Sequence, residues 1–277
     1  MTYESHHIQQ QYKDAMYNIQ ESTKVLLPVG FYDTATKQYT REVEVAEWTG
    51  YTQEALTSPI AKNNYNIGIS NVLNIVVQSI GENGSVFRKS NPNTMLPDRF
   101  MRQLTNADRE VILLQSLAIS GEEMRKRVCT DKCDHCNAEI SYDFDLTEVE
   151  VEEWDHAKPP WVEFDLPKQI TVGSGNLKLT SGHAKLKLMT GLDAEVLGKK
   201  SDKGEFAMLF EMLAQCTEFE GIGKISVDVL KLQPRSFLDF LKRQANIQVG
   251  AIPYKKFQCH HCGEETEAKL DLARFLV

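Results

Sequence analysis

The sequence has no run of about 18 uncharged apolar residues, the length that a membrane-spanning helix needs. Its first thirty residues are mostly polar and contain no apolar core of a signal peptide. We therefore expect a soluble protein that stays inside the cell and has no membrane span. In such a reducing compartment, free thiols and metal sites are favoured over disulfides.

A concentrated basic stripe is also missing. The chain of 277 residues carries 39 acidic and 31 basic side chains, a formal net charge of −8, and its pI is near 5.5. Nucleic-acid binders cluster lysine and arginine along one face, because phosphate contacts supply much of their affinity. We expect no nucleic-acid binding as the main activity. The densest acidic charge lies between Asp143 and Asp165 and predicts a solvated loop.

The motifs of the common enzyme classes are absent as well. The sequence holds no Walker phosphate-binding loop, no G-x-S-x-G, no H-E-x-x-H, and no G-x-G-x-x-G after a strand. We therefore expect no catalytic residues, no organic cofactor and no enzymatic activity.

Two short cysteine pairs are the most specific pattern that the chain does contain. They are Cys133-Asp-His-Cys136 and Cys259-His-His-Cys262, and each lies between two strand-like stretches. A C-x-x-C turn between strands is typical of a zinc knuckle, and a tetrahedral zinc needs two such knuckles. We predict one structural zinc per chain, held by Cys133, Cys136, Cys259 and Cys262. An iron–sulfur cluster could use the same thiolates, but zinc is the simpler ion for two knuckles.

The other cysteines and the histidines inside the pairs are weaker ligand candidates. Cys129 could substitute as a ligand, although its position predicts a strand residue that faces the core, and Cys216 predicts a core residue of an apolar helix. His135, His260 and His261 occupy middle positions of the turns and should face solvent, with His261 kept as an alternate ligand. Four thiolates leave no open coordination position, so we expect the site to stabilise the fold and not to catalyse.

The pattern around each cysteine pair recurs, which predicts an internal duplication. Phe144-Asp145-Leu146 follows the first pair at the distance at which Leu270-Asp271-Leu272 follows the second. Upstream, the matched positions are Val45 with Leu186, Thr49-Gly50 with Thr190-Gly191, Glu54 with Glu195, and Leu56 with Leu197. We predict an α+β fold of two diverged pseudo-repeats, each with a strand, helices and a knuckle, joined by a shared zinc-ribbon-like site of four cysteines.

These repeats set the predicted domain boundaries. Residues 1–24 are predicted to form an N-terminal amphipathic helix or arm, residues 25–150 the first repeat, and residues 151–277 the second repeat. The acidic stretch 147–160, which ends in two prolines, is the predicted link between the repeats.

Two segments are the predicted contacts for a partner protein. Ile8, Tyr12, Met16 and Ile19 recur at near-helical spacing, but so short a helix is marginal alone, so it docks on its own chain or on a partner. Both alternatives stay open. The apolar run 25–32 predicts an edge strand or an extended arm that could also reach a partner.

Helices are predicted at three further places. Residues 67–80 are apolar on most faces and predict a buried helix. Thr105-Asn-Ala-Asp108 has the outline of a capping box, and Gly121 is well placed to end the helix that follows. Residues 206–216 predict a strongly apolar helix.

Taken in order, these motifs resemble those of the T4-like baseplate hub assembly chaperones and baseplate hub proteins of contractile-tailed phages. The residues that carry the resemblance are Leu27-Pro28-Val29-Gly30-Phe31, Glu42-Val43-Glu44-Val45 before Thr49-Gly50, Leu104-Thr105 before Asp108-Arg109, Cys133-x-x-Cys136 before Phe144-Asp145-Leu146, Leu186-x-Leu188-x-Thr190-Gly191, and Cys259-x-x-Cys262-Gly263 before Leu270-Asp271-Leu272. The chain departs from the pattern at Asn137, which stands where glycine is expected, although asparagine also tolerates a left-handed turn. Residues 1–23 lie outside the pattern.

The resemblance implies a non-enzymatic, chaperone-like factor for assembly of the phage tail baseplate. Such a factor would bind hub or tail proteins in the host cytoplasm during virion morphogenesis. A permanent structural subunit of the baseplate hub in the virion stays open as an alternative. A zinc-ribbon regulator that binds nucleic acid is a third alternative, which the acidic charge disfavours.

Overall fold

The computed structural model describes residues 21–91, 94–174, 177–200, 204–252 and 254–269, and within them the fold is α+β with several small antiparallel sheets. The strands are β1 (Ser22–Asp33), β2 (Gln38–Ala46), β3 (Val77–Ile80), β4 (Phe87–Arg88), β5 (Lys126–Lys132), β6 (Glu139–Asp145), β7 (Val151–Glu152), β8 (Trp161–Ser174), β9 (Leu177–Lys187), β10 (Thr217–Phe219), β11 (Gly250–Ala251), β12 (Tyr254–Gln258) and β13 (Glu265–Lys269). The helices are α1 (Gly50–Thr57), α2 (Pro59–Asn63), α3 (Tyr65–Val76), α4 (Asp98–Gln103), α5 (Asn106–Ile119), α6 (Glu122–Arg125), α7 (Gly191–Gly198), α8 (Glu205–Cys216), α9 (Val227–Lys231) and α10 (Arg235–Ala245). The helix or arm predicted for residues 1–24 falls mostly on residues 1–20, outside the described residues, and residues 22–24 belong to strand β1.

No helix in these ranges combines the length and the apolar character that crossing a bilayer requires.

The first sheet has the strand order β1-β2-β3-β4, and α3 leads directly into β3. We predicted one helix over residues 67–80, but the helix ends at Val76. Val77–Ile80 is a strand instead, because its backbone pairs with β2, where Val43 lies opposite Ile80. Pairing with a sheet overrides the helical pattern of a short apolar run, and the β-branched Val77 suits a strand.

Strand β1 is the edge strand predicted for residues 25–32, but it offers little apolar surface to a partner. Leu27, Val29 and Phe31 are buried in the main core, and Leu26 is the exposed apolar residue of this stretch. The β1–β2 register shifts between Leu26 and Phe31, where β1 advances five residues while β2 advances two. The apolar run is therefore largely a core strand with an irregular segment.

The buried carboxylate of Asp108 holds this irregular segment in place. It accepts hydrogen bonds from the backbone N–H groups of Val29 at 2.9 Å and Gly30 at 3.0 Å, and from the Thr105 hydroxyl at 2.7 Å. Thr105 and Asp108 also form the predicted capping box at the start of α5. Burial raises the pKa of Asp108, and the four donors around its two oxygens oppose that shift.

The second sheet has three strands in the order β10-β9-β8, and its strand pairing follows that of β3-β2-β1 in the four-stranded first sheet. Helices α1 and α7 are both 8 residues long, and α3 and α8 are both 12. Each 12-residue helix leads at once into a strand that returns to the hairpin, so Val77 pairs with Val45 and Thr217 with Leu186. The β8–β9 register shifts between Asp165 and Ile170, where β8 also advances five residues while β9 advances two.

The first half of the chain (residues 25–150) and the second half (residues 151–277) meet through backbone pairing as well as through side chains. Thr105 and Thr190 form an isolated bridge, with the Gly191 N–H donating to the Leu104 carbonyl at 2.9 Å and the Asn106 N–H donating to the Met189 carbonyl at 3.0 Å. Both threonines are N-caps of helices, so the starts of α5 and α7 lie side by side.

The acidic link is more ordered than the solvated loop that its charge predicts. Trp154 is buried, and its backbone N–H donates to the Pro28 carbonyl at 2.9 Å. The His156 ring lies 3.1 Å from the Val29 carbonyl, and the Tyr39 hydroxyl donates to the Lys158 carbonyl at 2.8 Å. The tryptophan and these backbone contacts hold the link along the irregular segment of β1, although its glutamates face water.

A matched pair of glycines tests the contact between the halves. Gly50 and Gly191 are the first residues of α1 and α7, but a Cβ at Gly191 would lie 1.3 Å from Arg109 Nη1, whereas a Cβ at Gly50 would meet nothing within 4 Å. Because Arg109 is buried and hydrogen-bonded, Gly191→Ala should lower the free energy of unfolding by about 1–3 kcal/mol. Gly50→Ala should leave it unchanged or slightly raised. Urea unfolding of both variants measures this, and equal effects would contradict the packing.

Glu110 provides a pH-dependent test of burial. Burial raises its pKa to about 7 from an ordinary value of 4.5. The folded state therefore holds this proton more tightly than the unfolded chain, so the contribution of Glu110 to stability is greatest below pH 4.5 and is lost as the pH rises to about 7. Glu110→Gln removes the decline, and relative to the parent it should gain about 1–3 kcal/mol between pH 5 and pH 8. Urea unfolding at both pH values measures this, with the exposed Glu123→Gln as an unchanged control.

Candidate metal centre

Two hairpins, β5–β6 and β12–β13, carry the cysteine pairs in the same kind of turn. In the first hairpin, the Cys133 N–H donates to the Ala138 carbonyl at 2.9 Å and the Asn137 N–H to the Cys133 carbonyl at 2.9 Å. In the second, the Cys259 N–H donates to the Glu264 carbonyl at 2.9 Å and the Gly263 N–H to the Cys259 carbonyl at 2.7 Å. Both turns therefore aim their cysteine pairs in the manner of a zinc knuckle.

The residue after each pair takes a left-handed conformation. Gly263 has φ 76°, and Asn137, at the same place in the first turn, has φ 57°. Asparagine tolerates this region better than other residues with a side chain, so the missing glycine does not change the turn. The expectation that Asn137 can replace glycine is confirmed.

The four predicted ligands come together at one point. The Sγ atoms of Cys133, Cys136, Cys259 and Cys262 all lie within 4.8 Å of one another. Cys133 Sγ is 3.7 Å from Cys262 Sγ, and Cys136 Sγ is 3.8 Å from Cys259 Sγ, so sulfur atoms of one hairpin lie close to those of the other. A disulfide needs about 2.05 Å, and all four cysteines are free. The cluster can hold a metal ion.

The other candidate ligands lie outside this cluster. Cys216 is buried on α8, as predicted, and Cys129 is half-buried on β5. The His135 ring lies 2.9 Å from the Glu265 carbonyl, and the exposed rings of His260 and His261 lie 4.2 Å from each other. No histidine among the described residues joins the four sulfur atoms.

The electrostatics of the cluster favour a cation. The Cys136 backbone N–H, with that of His135, lowers the pKa of the Cys133 thiol to about 6 despite burial. The Glu264 N–H lowers the pKa of Cys262, but burial and the neighbouring sulfur atoms outweigh it and raise that pKa to about 12. Cys133 therefore loses its proton more readily than Cys262, because two thiolates packed this closely repel each other. A metal cation would remove that repulsion.

Contacts between the hairpins fix the second knuckle against the first. The Asp134 N–H donates to the buried Thr266 hydroxyl at 3.3 Å, and that hydroxyl donates to the Asp134 carboxylate at 3.2 Å. Tyr142 and Phe257 stack with their ring centroids 5.1 Å apart, and Lys255 pairs with Glu148. The two hairpins therefore approach each other through side chains as well as through sulfur.

The sequence analysis missed this supporting layer. Thr266 occupies the place on β13 that the buried Ile140 occupies on β6, and only its burial shows that it bonds across the site. A single polar residue at an inward strand position was the available signal. Its partner could not be inferred, because it lies 132 residues away in sequence.

Comparisons of this chain with protein-family models, with curated proteins and with solved structures give no match. Four convergent thiolates on two hairpins can bind one soft metal ion and link parts of the chain that are distant in sequence.

Loss of one ligand should remove the metal and weaken the fold together. We expect about one zinc ion per purified chain, and Cys259→Ser should lose most of it and unfold less cooperatively, because three ligands leave the knuckles poorly tied. Metal analysis by mass spectrometry and urea unfolding measure both effects. Cys129→Ser is the matched control and should keep the metal. Freely reactive thiols at all four positions in the folded protein would contradict the site.

Proposed function

We propose that the four-cysteine cluster holds one structural zinc ion and that the protein is a non-enzymatic assembly factor for a phage-type tail baseplate. The cluster carries the proposal. Zinc thiolate bonds of about 2.3 Å in a tetrahedron place the sulfur atoms about 3.8 Å apart. Two sulfur–sulfur distances between the hairpins, 3.7 Å and 3.8 Å, fit that spacing.

A site of this kind acts on the fold and not on a substrate. Four protein thiolates fill the coordination shell, so no position is left for water or a reacting group. The ion would fasten the hairpin of the first half to the hairpin of the second. This supports a protein that works through its surfaces.

The finer description of the fold belongs to the same proposal: the two halves are diverged copies of one unit. Matching helix lengths, matching strand pairing and the register shift at the same place in both hairpins support it. Leu27-Pro28 and Leu166-Pro167 occupy corresponding positions within the two irregular segments. Two knuckles of the same construction fit a duplication that includes the metal ligands.

The baseplate role rests on the resemblance of the motifs to hub assembly chaperones of contractile-tailed phages. Residues of several of these motifs make contacts that stabilise the fold. Val29 and Gly30 bond to Asp108, Thr190 caps a helix at the contact between the halves, and the cysteine pairs converge. Features that shape the fold in this way are ones that a related protein would share.

Affinity purification from phage-infected cells tests the role. The tagged chain should enrich baseplate hub or tail proteins over an untagged control, as identified by mass spectrometry. Cys259→Ser should lose this enrichment, because three ligands no longer hold the two hairpins together firmly. Cys129→Ser should retain it. The proposal would be contradicted if only unrelated proteins were enriched. It would also be contradicted if Cys259→Ser enriched the same proteins as the parent.

Two further measurements separate the alternatives. Abundant protein in purified virions would favour a permanent hub subunit over a factor that leaves after assembly. Binding to DNA or RNA that weakens steeply with added salt would favour the nucleic-acid regulator. We expect little of the chain in mature particles and no such binding.

A further inference from the structure

Polar side chains on α3 and α5 form the contact through which the first half binds the second. Asn66 Nδ2 donates to the Ala194 carbonyl of α7 at 3.0 Å, and the Ser70 hydroxyl donates to the Glu195 carboxylate. Arg109 of α5 supports both residues, because its Nη2 donates to the Asn66 carbonyl and to Ser70 Oγ, each at 2.9 Å. This flank of α3 is thus covered by a helix of the other half.

The second half carries apolar side chains at the corresponding positions. Because α8 matches α3 in length and place, Phe206 and Phe210 correspond to the two polar residues of α3. Helices α5 and α10 each pack on the hairpin of their own half, and, counted from their first residues, Leu238 corresponds to Arg109. Phe206 is 79% exposed, and Phe210 and Leu238 are partly exposed. Phe206, Phe210 and Leu238 are named the apolar patch.

The patch and its edge are complementary to themselves. None of the three patch residues is charged, so a second patch can cover them without burying an unpaired ion. At the edge, Arg235 and Asp239 lie one turn apart on α10, 94% and 59% exposed, with 3.7 Å between their charged groups. If two α10 helices pack antiparallel about a two-fold axis, each Arg235 comes opposite the Asp239 of the other copy.

Head-to-tail packing of copies fits the surfaces less well. It would place the patch of one copy on α1 of the next, since α1 corresponds to α7. The exposed residues of α1 include Gln53, Glu54 and Thr57. Glu54 would then be buried against Phe206 and Phe210 with no cation beside it, which is costly.

We propose that the apolar patch is a homodimer interface, in which a second copy of this chain packs its own patch against it about a two-fold axis. The aromatic residues supply the buried centre and the Arg235–Asp239 pairs the charged edge. The interface lies on helices of the second half; the choice of its residues rests on the proposed duplication, but it depends neither on the metal nor on the baseplate role.

Sedimentation of the full chain over about 1–100 μM tests the interface, since a dimer of micromolar affinity assembles in that range. The parent should form dimers. Phe206→Asp should weaken dimerisation by about a hundredfold or more, because it buries a carboxylate at the centre. Leu26→Asp is the matched control: Leu26 is 61% exposed but lies on β1 of the first half, so its dimerisation should be unchanged.

Charge reversal at the edge tests the two-fold geometry separately. Arg235→Glu and Asp239→Arg should each weaken dimerisation by about three- to tenfold, and the double variant should regain the parent affinity. These side chains are exposed, so circular dichroism and urea unfolding should match the parent. A chain that stays monomeric at about 100 μM, or dimers indifferent to Phe206→Asp, would overturn the proposal and leave the patch for a different protein. Failure of the double variant to recover would overturn the antiparallel pairing.

Discussion

Mutual repulsion of the four cysteine sulfur atoms is the constraint on which the packing of hairpins β5–β6 and β12–β13 depends. Two-stranded hairpins are marginal alone, and the apolar core between these two contains only Cys133, Ile140 and Cys259 as buried residues within the described part of the chain. When the hairpins approach each other, their sulfur atoms come together. As thiolates these atoms repel one another, and as thiols they hold the two turns together only weakly. A bound cation would remove this repulsion and link the two hairpins through their thiolates. The remainder of the fold has its own cores and does not share this dependence.

Sequence reasoning succeeded where short-range patterns determine the outcome. The C-x-x-C turns, the Thr105 capping box and the left-handed Asn137 depend on a few neighbouring residues, and each was found as expected. It failed where a distant segment decides the conformation. Val77 leaves the predicted helix because β2 is beside it, and the acidic link is held because Trp154 finds a buried site along β1. Those partners are separated by many residues, and no local pattern reveals them.

The two halves have similar strand pairing and helix lengths but carry different side chains at matching places. Asp108 on α5 binds the irregular segment of β1, whereas Phe237, at the same place on α10, is buried in the second core. In the first half the segment is enclosed, while in the second Pro167, Lys168 and Gln169 are exposed. Where the first half carries polar side chains that bond to the second half, the second half carries apolar ones, among them the exposed Phe206 of α8.

The order of the cysteines along the chain has a consequence for biosynthesis. Cys133 and Cys262, which lie nearly in contact in the fold, are 129 residues apart in sequence. At a synthesis rate of about 5–20 residues per second, the first pair leaves the ribosome roughly 6–25 seconds before its partner. During that interval the early thiols are accessible to oxidants and to stray metal ions. The four-sulfur cluster can therefore form only after the second hairpin has been synthesised.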